Sequence, residues 1–267
     1  MTSPQGHDGG PDDGPDPAFA DTAGVPWQDR QLSGTGFNQD DGSADPALVE
    51  VVRDRSPEGE RALVAAVAAA RWMVPVVATE AGGPTEPSPE GSSPGLRAET
   101  STEMAAVTLT APDGQRALPL FSGLDALRAW DPDARPVPVT AARAAQAAVQ
   151  ERCQVLVLDP RSDHERALRP SMLWALATGR EWLPAHDDPF VSRALQGAVA
   201  EEPDVVTFRA EAGDPTGTLR VVLHLRPGLA PKQLEGLVTR LGERLATDGE
   251  TRARVDGIAF AVRPADR

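Results

Sequence analysis

The chain has 267 residues, of which 40% are hydrophobic and 25% are charged, so it can form one or two packed domains and wholesale disorder is excluded. Its net charge of −14 disfavours nucleic acid and anionic membranes as partners, because both need a basic protein face. A single cysteine, Cys153, excludes an internal disulfide and a cysteine metal cluster.

The composition also indicates where the protein works. The chain shows no secretion signal and no apolar run long enough to cross a bilayer, and we expect a cytoplasmic protein. Alanine is abundant and Lys232 is the only lysine, a bias that we interpret as that of a GC-rich bacterial genome.

Two segments concentrate the acidity. Residues 1–25 hold five aspartates and no lysine or arginine, and residues 79–103 are rich in proline, glycine and glutamate. Such segments bury too little apolar surface to offset their ordering entropy. We predict a disordered acidic tail at 1–25 and a flexible insert at 79–103. A solubilising spacer is the preferred interpretation of both, and a specific acidic docking motif is the alternative.

Residues 26–160 are predicted to form one α+β domain around that insert. A proline follows Asp45 and another follows Ser56, and each pair predicts the start of a helix. Trp72–Ala78 is a valine-rich strand that Pro75 places at a sheet edge or makes irregular. The later elements are a hairpin of Met104–Thr110 and Arg116–Leu120 around Asp113-Gly114, a helix capped by Ser122, an extended piece at Val137–Val139, a helix capped by Thr140, and a buried strand Val155–Leu158 that ends at Asp159-Pro160.

A second, smaller domain is predicted at residues 188–267, after a connector at 161–187 that holds a helix. Its element order α-β-β-α-β predicts a small α/β sandwich, with helices on one face of a sheet. Val255–Val262 is apolar on both faces and is predicted as the central strand. The other elements are a helix begun by Asp188-Pro189, strands Val205–Ala210 and Thr218–Leu225, and a helix over Pro231–Ala246.

Several motifs resemble catalytic or ligand-binding patterns but lack their context. Residues 91–95 (GSSPG) match a nucleophile elbow, yet no strand precedes them. Residues 34–36 (GTG) lack the third glycine of a dinucleotide loop, and residues 37–48 lack two oxygen ligands of a calcium loop. Lys232 lacks the glycines of a phosphate loop. We therefore expect no catalytic residue, no cofactor and no enzymatic activity.

Two clusters combine a histidine with carboxylates, one at residues 163–165 around His164 and one at 186–188 around His186. If the fold joined them, they could hold a metal ion with nitrogen and oxygen ligands. Two separate solvated surface patches are the preferred interpretation, so no metal site is predicted.

Three single residues also invite a functional reading. His224 alternates with Arg220 and Arg226 along one strand face and is expected to be solvated. Cys153 is expected to act as a small buried hydrophobe rather than as a nucleophile. Trp27 is predicted to tie the acidic tail to the first domain, and an exposed anchor for a partner is the alternative.

Several short segments together carry a resemblance to a known family. They are residues 40–48 (DDGSADPAL), 74–77 (VPVV), 118–122 (LPLFS), 135–139 (RPVPV) and 155–160 (VLVLDP). In this order and spacing, residues 37–160 resemble the SseB N-terminal domain family, with the insert as the main departure. The second half is similar to the C-terminal domain of some members in its element order.

The resemblance implies an α+β fold and no reaction, since the family has no established catalytic residues to carry over. Three functions remain open. The first is a non-catalytic interaction or regulatory module with an unidentified protein partner. The second is a small-molecule sensor for an amino acid, suggested by the family's association with serine sensitivity, which needs arginines placed for a carboxylate. The third is a metal-dependent enzyme built on His164 and His186.

Overall fold

The computed structural model describes residues 37, 40–80, 102–112 and 114–265. The chain divides at Asp40 into two units, of which residues 41–267 form one compact unit. The predicted tail at 1–25 lies outside the described residues. So does most of the predicted insert, except that residues 79–80 and 102–103 belong to strands.

The fold is α+β, as predicted. The helices are α1 (Pro46–Arg53), α2 (Glu60–Ala69), α3 (Leu124–Trp130), α4 (Ala141–Gln150), α5 (Pro170–Thr178), α6 (Pro189–Ala200), α7 (Pro231–Thr247) and α8 (Gly249–Arg252). The strands are β1 (Arg71–Glu80), β2 (Thr102–Ala106), β3 (Leu109–Thr110), β4 (Arg116–Leu120), β5 (Arg135–Thr140), β6 (Val155–Leu158), β7 (Arg166–Leu168), β8 (Val205–Ala212), β9 (Thr218–Leu225) and β10 (Gly257–Pro264). Among the described residues, none of the helices has the length and apolar content that a membrane span requires.

Helix starts that depend on a local cap are confirmed. Asp45 accepts a bond from Ala47 N (2.8 Å), Asp188 from Phe190 N (2.7 Å) and Thr140 from Arg143 N (3.3 Å). Each partner lies two or three positions along the chain, so the short-range pattern determines the start.

Two other predicted caps are wrong. α2 begins at Glu60 rather than after Ser56, whose hydroxyl instead accepts from Gly59 N (3.1 Å). α3 begins after Gly123, without a side-chain cap, and the backbone of Ser122 is bound by distant groups instead. Its N–H donates to Asp159 (2.7 Å), and its carbonyl accepts from Arg71 (2.8 Å).

The prediction that Pro75 marks a sheet edge is wrong, because β1 is the central strand of the sheet β2-β1-β5. Val107 N donates to Pro75 O (3.0 Å), so the backbone groups of Pro75 point away from β5. The residue opposite in β5 is Pro136. This position of the β1–β5 ladder needs no N–H from either proline, which is how both are tolerated inside a sheet.

The predicted hairpin is confirmed only close to its turn. β3 and β4 pair through Leu109 with Ala117 and Thr110 with Arg116, and Gly114 takes the positive φ (85°) that a tight turn requires. Met104–Ala106, the first three residues of the predicted first arm, belong to β2 and pair with β1 instead. Asp113 lies outside the described residues.

The first half of the unit, α1 to α5, packs around a mixed sheet in the order β3-β4-β6-β7. β4 and β6 run parallel, and Leu118, Leu120, Leu156 and Leu158 are fully buried between them and the helices. α5 and Trp182 belong to the same hydrophobic core. Residues predicted as a connector therefore complete this core, since the leucine and alanine side of α5 packs against α4.

The second half, α6 to β10, is a three-stranded sheet with helices on one face, as its element order predicts. Leu219, Val221, Leu223 and Leu225 of β9 pack against α6 and α7. The sheet order is β10-β9-β8, so the prediction of Val255–Val262 as the central strand is wrong. β9 lies between the other two strands, so its residues are buried on the helix face, and Val222 is buried on the opposite face. β10 lies at the edge and is largely exposed.

Candidate functional site

The carboxyl ends of the parallel strands β4 and β6 meet around Asp159, which is 1% exposed. One carboxylate oxygen accepts the N–H of Ser122 (2.7 Å), and the other lies 3.1 Å from Nε2 of His164. Ligand sites in sheets with parallel strands often lie at such an edge. Here the carboxylate joins the two strand ends, and its backbone has a left-handed φ of 41° that Asp tolerates better than most residues.

His164 contacts a carboxylate with each ring nitrogen. Besides Asp159 at Nε2, Asp163 lies 2.7 Å from Nδ1, and the hydrogen bond with His164 is the largest cause that lowers the pKa of Asp163. Neither nitrogen is left for a metal ion or for a nucleophilic hydroxyl. His186 lies elsewhere: it contacts Asp187 (3.6 Å) and lines a pocket that does not include His164. Among the described residues, no group of three or more His, Cys, Asp or Glu side chains is placed to hold a metal.

A network of buried and half-buried charges joins the two halves. We call Glu60, Arg169 and Asp256 the clasp. Arg169, just before α5, donates to both carboxylate oxygens of Glu60 in α2 (2.5 and 2.8 Å). Its Nε donates to Asp256, just before β10 (2.9 Å). Burial lowers the pKa of Arg169, but the bonds to Glu60 and Asp256 outweigh it, and the net direction is upward. Arg169 therefore keeps its charge, and it contacts residues that lie 87 and 109 positions away from it in the chain.

Polar neighbours complete the clasp. Asp256 also accepts from the N–H and the hydroxyl of Ser171 (2.7 and 2.8 Å), and that hydroxyl accepts from the indole of Trp182 (3.0 Å). The guanidinium of Arg169 lies 5.7 Å from the Trp182 ring. Every polar group of this network thus has a partner, which is the condition for a buried charge to be tolerated.

A small pocket of about 100 Å³ opens beside the clasp and is lined by Trp182, His186 and Thr218, among others. Its two arginines, Arg169 and Arg254, are already paired, Arg254 with Asp188 at 2.8 Å. The carboxylate of an amino acid would have to displace an aspartate to reach either guanidinium. The pocket therefore does not offer the free arginines that the sensor hypothesis requires.

Glu202 is a second buried carboxylate, 4% exposed, and it joins α6 to α7. Arg240 donates two bonds to it (2.9 and 2.7 Å), and Arg244 donates one (2.8 Å). The bond from Arg240 is the largest of the effects that hold the pKa of Glu202 below its ordinary value.

We expect the free energy of unfolding to decrease in acid, and Glu202→Gln to remove part of this dependence. Because the folded-state pKa of Glu202 lies below the unfolded value of 4.5, its stabilisation is fully present above that pH. It is lost as the pH falls through the folded-state pKa. Urea unfolding from neutral to acidic pH measures the effect, and identical pH slopes for the two proteins would contradict it.

The outer face of the second sheet, opposite its helices, carries unpaired positive charge. Register places Arg209, Arg220 and Arg263 on this face together with His224, and Glu211 is its only acid. We call these five residues the arginine face. Within the described residues, none of the three arginines makes a hydrogen bond or an ion pair, and all three are exposed. His224 is half-buried, so it is less solvated than predicted.

The structure separates the remaining residues that the sequence singled out. Cys153 packs in the first core, and burial raises the pKa of its thiol, which fits a small hydrophobe rather than a nucleophile. Asp41 and Asp45 bond their own loop and helix start rather than forming a calcium loop. Trp27 and the motifs at 34–36 and 91–95 lie outside the described residues.

The clasp and Asp159 have only weak sequence signals. Asp159 and Arg169 each precede a proline, which marks an element boundary. Nothing local connects Arg169 with Glu60 or Asp256.

Residues 45–175 match the family model of the SseB protein N-terminal domain. The chain contains an SseB N-terminal domain. The resemblance predicted from residues 37–160 is thereby confirmed, and the match continues into α5. The matched region contains Asp159, Arg169 and Glu60, whereas Asp256 and the arginine face lie beyond it. No curated protein and no solved structure matches the chain.

Proposed function

We propose that this protein is a non-catalytic, cytoplasmic interaction module that binds an acidic segment of a protein partner through the arginine face. The observation that supports this is the set of three exposed arginines without partners on one side of β8-β9-β10. The clasp and the Glu202 cluster, by contrast, pair their own charges. On the arginine face an acidic partner would gain contacts with three arginines at once.

The arginine face groups three unpaired arginines on one side of a single sheet. In the same half, Arg240, Arg244 and Arg254 are all held by carboxylates of the protein. The arginine face keeps one acid, Glu211, which lies opposite Arg220 in the register but makes no ion pair with it within 4 Å. Guanidinium groups bind carboxylates in a two-pronged geometry, so a row of Asp or Glu residues is the matching ligand.

Nucleic acid is a weaker match for the same face. The sheet's two phenylalanines, Phe208 and Phe260, share the helix face with Val221 and Leu223, so the arginine face has no phenylalanine, tyrosine or tryptophan for stacking bases. The net charge of −14 also repels a long polyanion, whereas a short acidic peptide meets mainly the local charge.

We expect a fluorescently labelled oligoglutamate peptide to bind the full-length chain. Replacing Arg209, Arg220 and Arg263 together with glutamine should weaken this binding at least about tenfold, and salt should weaken binding to the unmodified chain. Fluorescence anisotropy at low and physiological ionic strength measures both. The matched control replaces three exposed arginines of the first half, Arg128, Arg135 and Arg143, with glutamine and makes the same change in net charge.

Equal weakening in both triple variants would mean that only overall charge matters, and it would refute the arginine face as the site. Tighter binding of a single-stranded oligonucleotide than of the peptide would replace the acidic protein partner with nucleic acid.

A further inference from the structure

The open edge of β10 differs from the other edge of its sheet. Over Gly257–Val262 the strand carries no charged residue, and Ile258 and Val262 are 39% and 42% exposed. An edge strand presents unpaired backbone groups, and native proteins usually protect it with charges, bulges or a covering element. At this edge the described residues show none of these over six positions.

The opposite edge strand, β8, is protected. It contains a register shift between Val205 and Thr207 and carries two charges, Arg209 and Glu211. Its exposed valine, Val206 (57%), lies at the shift rather than within a regular ladder. Bulges of this kind end regular pairing. Of the two edges, β10 is therefore the one with less protection against strand pairing.

The backbone of β10 has a defined set of free groups. Ala265 N donates to Leu225 O (2.8 Å), so the odd-numbered residues direct their backbone groups toward β9. Ile258, Phe260 and Val262 therefore direct theirs to the open edge. Pro264 also falls in this outward set, where its missing N–H disturbs no bond with β9.

We propose that β10 pairs with β10 of a second copy of this chain, antiparallel and centred on Phe260, to form a continuous six-stranded sheet. In this register all three outward residues form reciprocal pairs: Phe260 with itself, and Ile258 with Val262 of the other copy, twice. Residues directly opposite in an antiparallel ladder share a face, so each exposed isoleucine covers an exposed valine. A twofold axis perpendicular to the sheet keeps both helix layers on one side.

The charges allow this approach. Despite the net charge of −14, the pairing stretch itself is uncharged. Arg263 of each copy lies opposite Gly257 of the other, so the two arginines are six strand positions apart, about 20 Å. That distance exceeds the Debye length at physiological salt, so they repel little. The dimer also leaves both arginine faces exposed on the same side of the sheet.

Sedimentation of the full-length chain over a micromolar concentration series tests the proposal. We expect a monomer–dimer equilibrium whose dissociation constant rises at least about tenfold in Ile258→Lys and in Val262→Lys. The matched control is Val206→Lys, which places the same charge on an exposed valine of the other edge and should not change the constant. Circular dichroism and thermal unfolding verify that each variant is folded.

Cysteine crosslinking tests the register. An equimolar mixture of Ile258→Cys and Val262→Cys chains should form a disulfide-linked dimer under mild oxidation. Neither variant alone should do so, because like positions lie four residues apart across the ladder, beyond disulfide reach. A chain that stays monomeric throughout the series overturns the proposal. So does a dimer that Val206→Lys weakens as much as the β10 variants, or crosslinking of either single variant alone. Loss of peptide binding at the arginine face leaves all these readouts unchanged, so the two proposals fail separately.

Discussion

Replacing Arg169 with methionine is expected to lower the free energy of unfolding by about 3 kcal/mol, because removing one partner of a buried ion pair leaves a buried charge uncompensated. Methionine fills much of the same volume but cannot bond Glu60, whose side chain is 8% exposed, or Asp256, whose side chain is 12% exposed. Asp256 keeps the two bonds from Ser171, so the loss falls mainly on Glu60, whose remaining cation is Arg166 at 3.9 Å. Urea unfolding with linear extrapolation measures the loss.

The control for this variant is Arg61→Met. Arg61 pairs with Glu181, but their side chains are 60% and 65% exposed, and an exposed pair contributes less than about 1 kcal/mol. Adding Glu60→Gln to Arg169→Met should restore part of the lost stability, since it removes the buried carboxylate that has lost its two bonds from Arg169. Equal losses for Arg169→Met and Arg61→Met, or a double variant that is simply additive, would show that the clasp is not a coupled buried network.

Replacing Gly217 with alanine is expected to cost about 3 kcal/mol, combining backbone strain with damage to the clasp. Gly217 has φ of +94°, a conformation that L side chains rarely adopt. A Cβ added there would lie 2.5 Å from Nε and 2.8 Å from Cδ of Arg169. The guanidinium would have to move, and its bond to Asp256 would weaken. Thermal and urea unfolding of the variant measure the combined cost.

Gly228 supplies a matched control for the backbone contribution. Its φ is +101°, and no atom lies within 4 Å of the Cβ position. Gly228→Ala should therefore cost only the strain, about 1–2 kcal/mol. The difference between the two variants isolates the contact with Arg169. If both lose the same stability, the close approach of Gly217 to Arg169 has no energetic role.

The clasp is relevant to both proposals because one of its residues lies next to the strand that carries the two proposed surfaces. Asp256 immediately precedes β10, the strand that contributes Arg263 to the arginine face and forms the proposed dimer edge. Through Arg169 it connects that strand to the SseB N-terminal domain. Both proposed surfaces lie on the half that the family match does not cover, whereas the matched half supplies two of the three clasp residues.

Local signals in the sequence were reliable where the physical interaction is local. Asp45, Thr140 and Asp188 cap helices as predicted because each bonds an N–H two or three residues away. The helix predicted over Pro231–Ala246 forms as α7, and its helical periodicity puts the buried Leu237, Leu241 and Leu245 on one side. The same reasoning failed at Ser122, whose backbone is bound by Asp159 and Arg71 from elsewhere in the fold.

Strand position was beyond local reasoning. Pro75 is tolerated in a central strand because its backbone groups face away from β5, so the β1–β5 ladder needs no N–H from it. Val255–Val262 has the composition of a central strand, yet β10 lies at an edge because β9 takes the middle. The composition of a strand indicates how apolar it is. Which strands lie beside it depends on the tertiary arrangement of the whole sheet.

The sequence by itself therefore determined the α+β class, the family of the N-terminal domain, the helix starts and the α-β-β-α-β order of the second half, since all of these rest on contacts or patterns within a few residues. Only the tertiary structure decided the clasp, the bonds of Asp159, the arginine face and the open edge of β10. Each of these depends on groups that lie tens of residues apart, such as Glu60 and Arg169 or Asp256 and Ser171. The physical reason is that burial and strand register, rather than sequence proximity, choose the partners of a charged or hydrogen-bonding group.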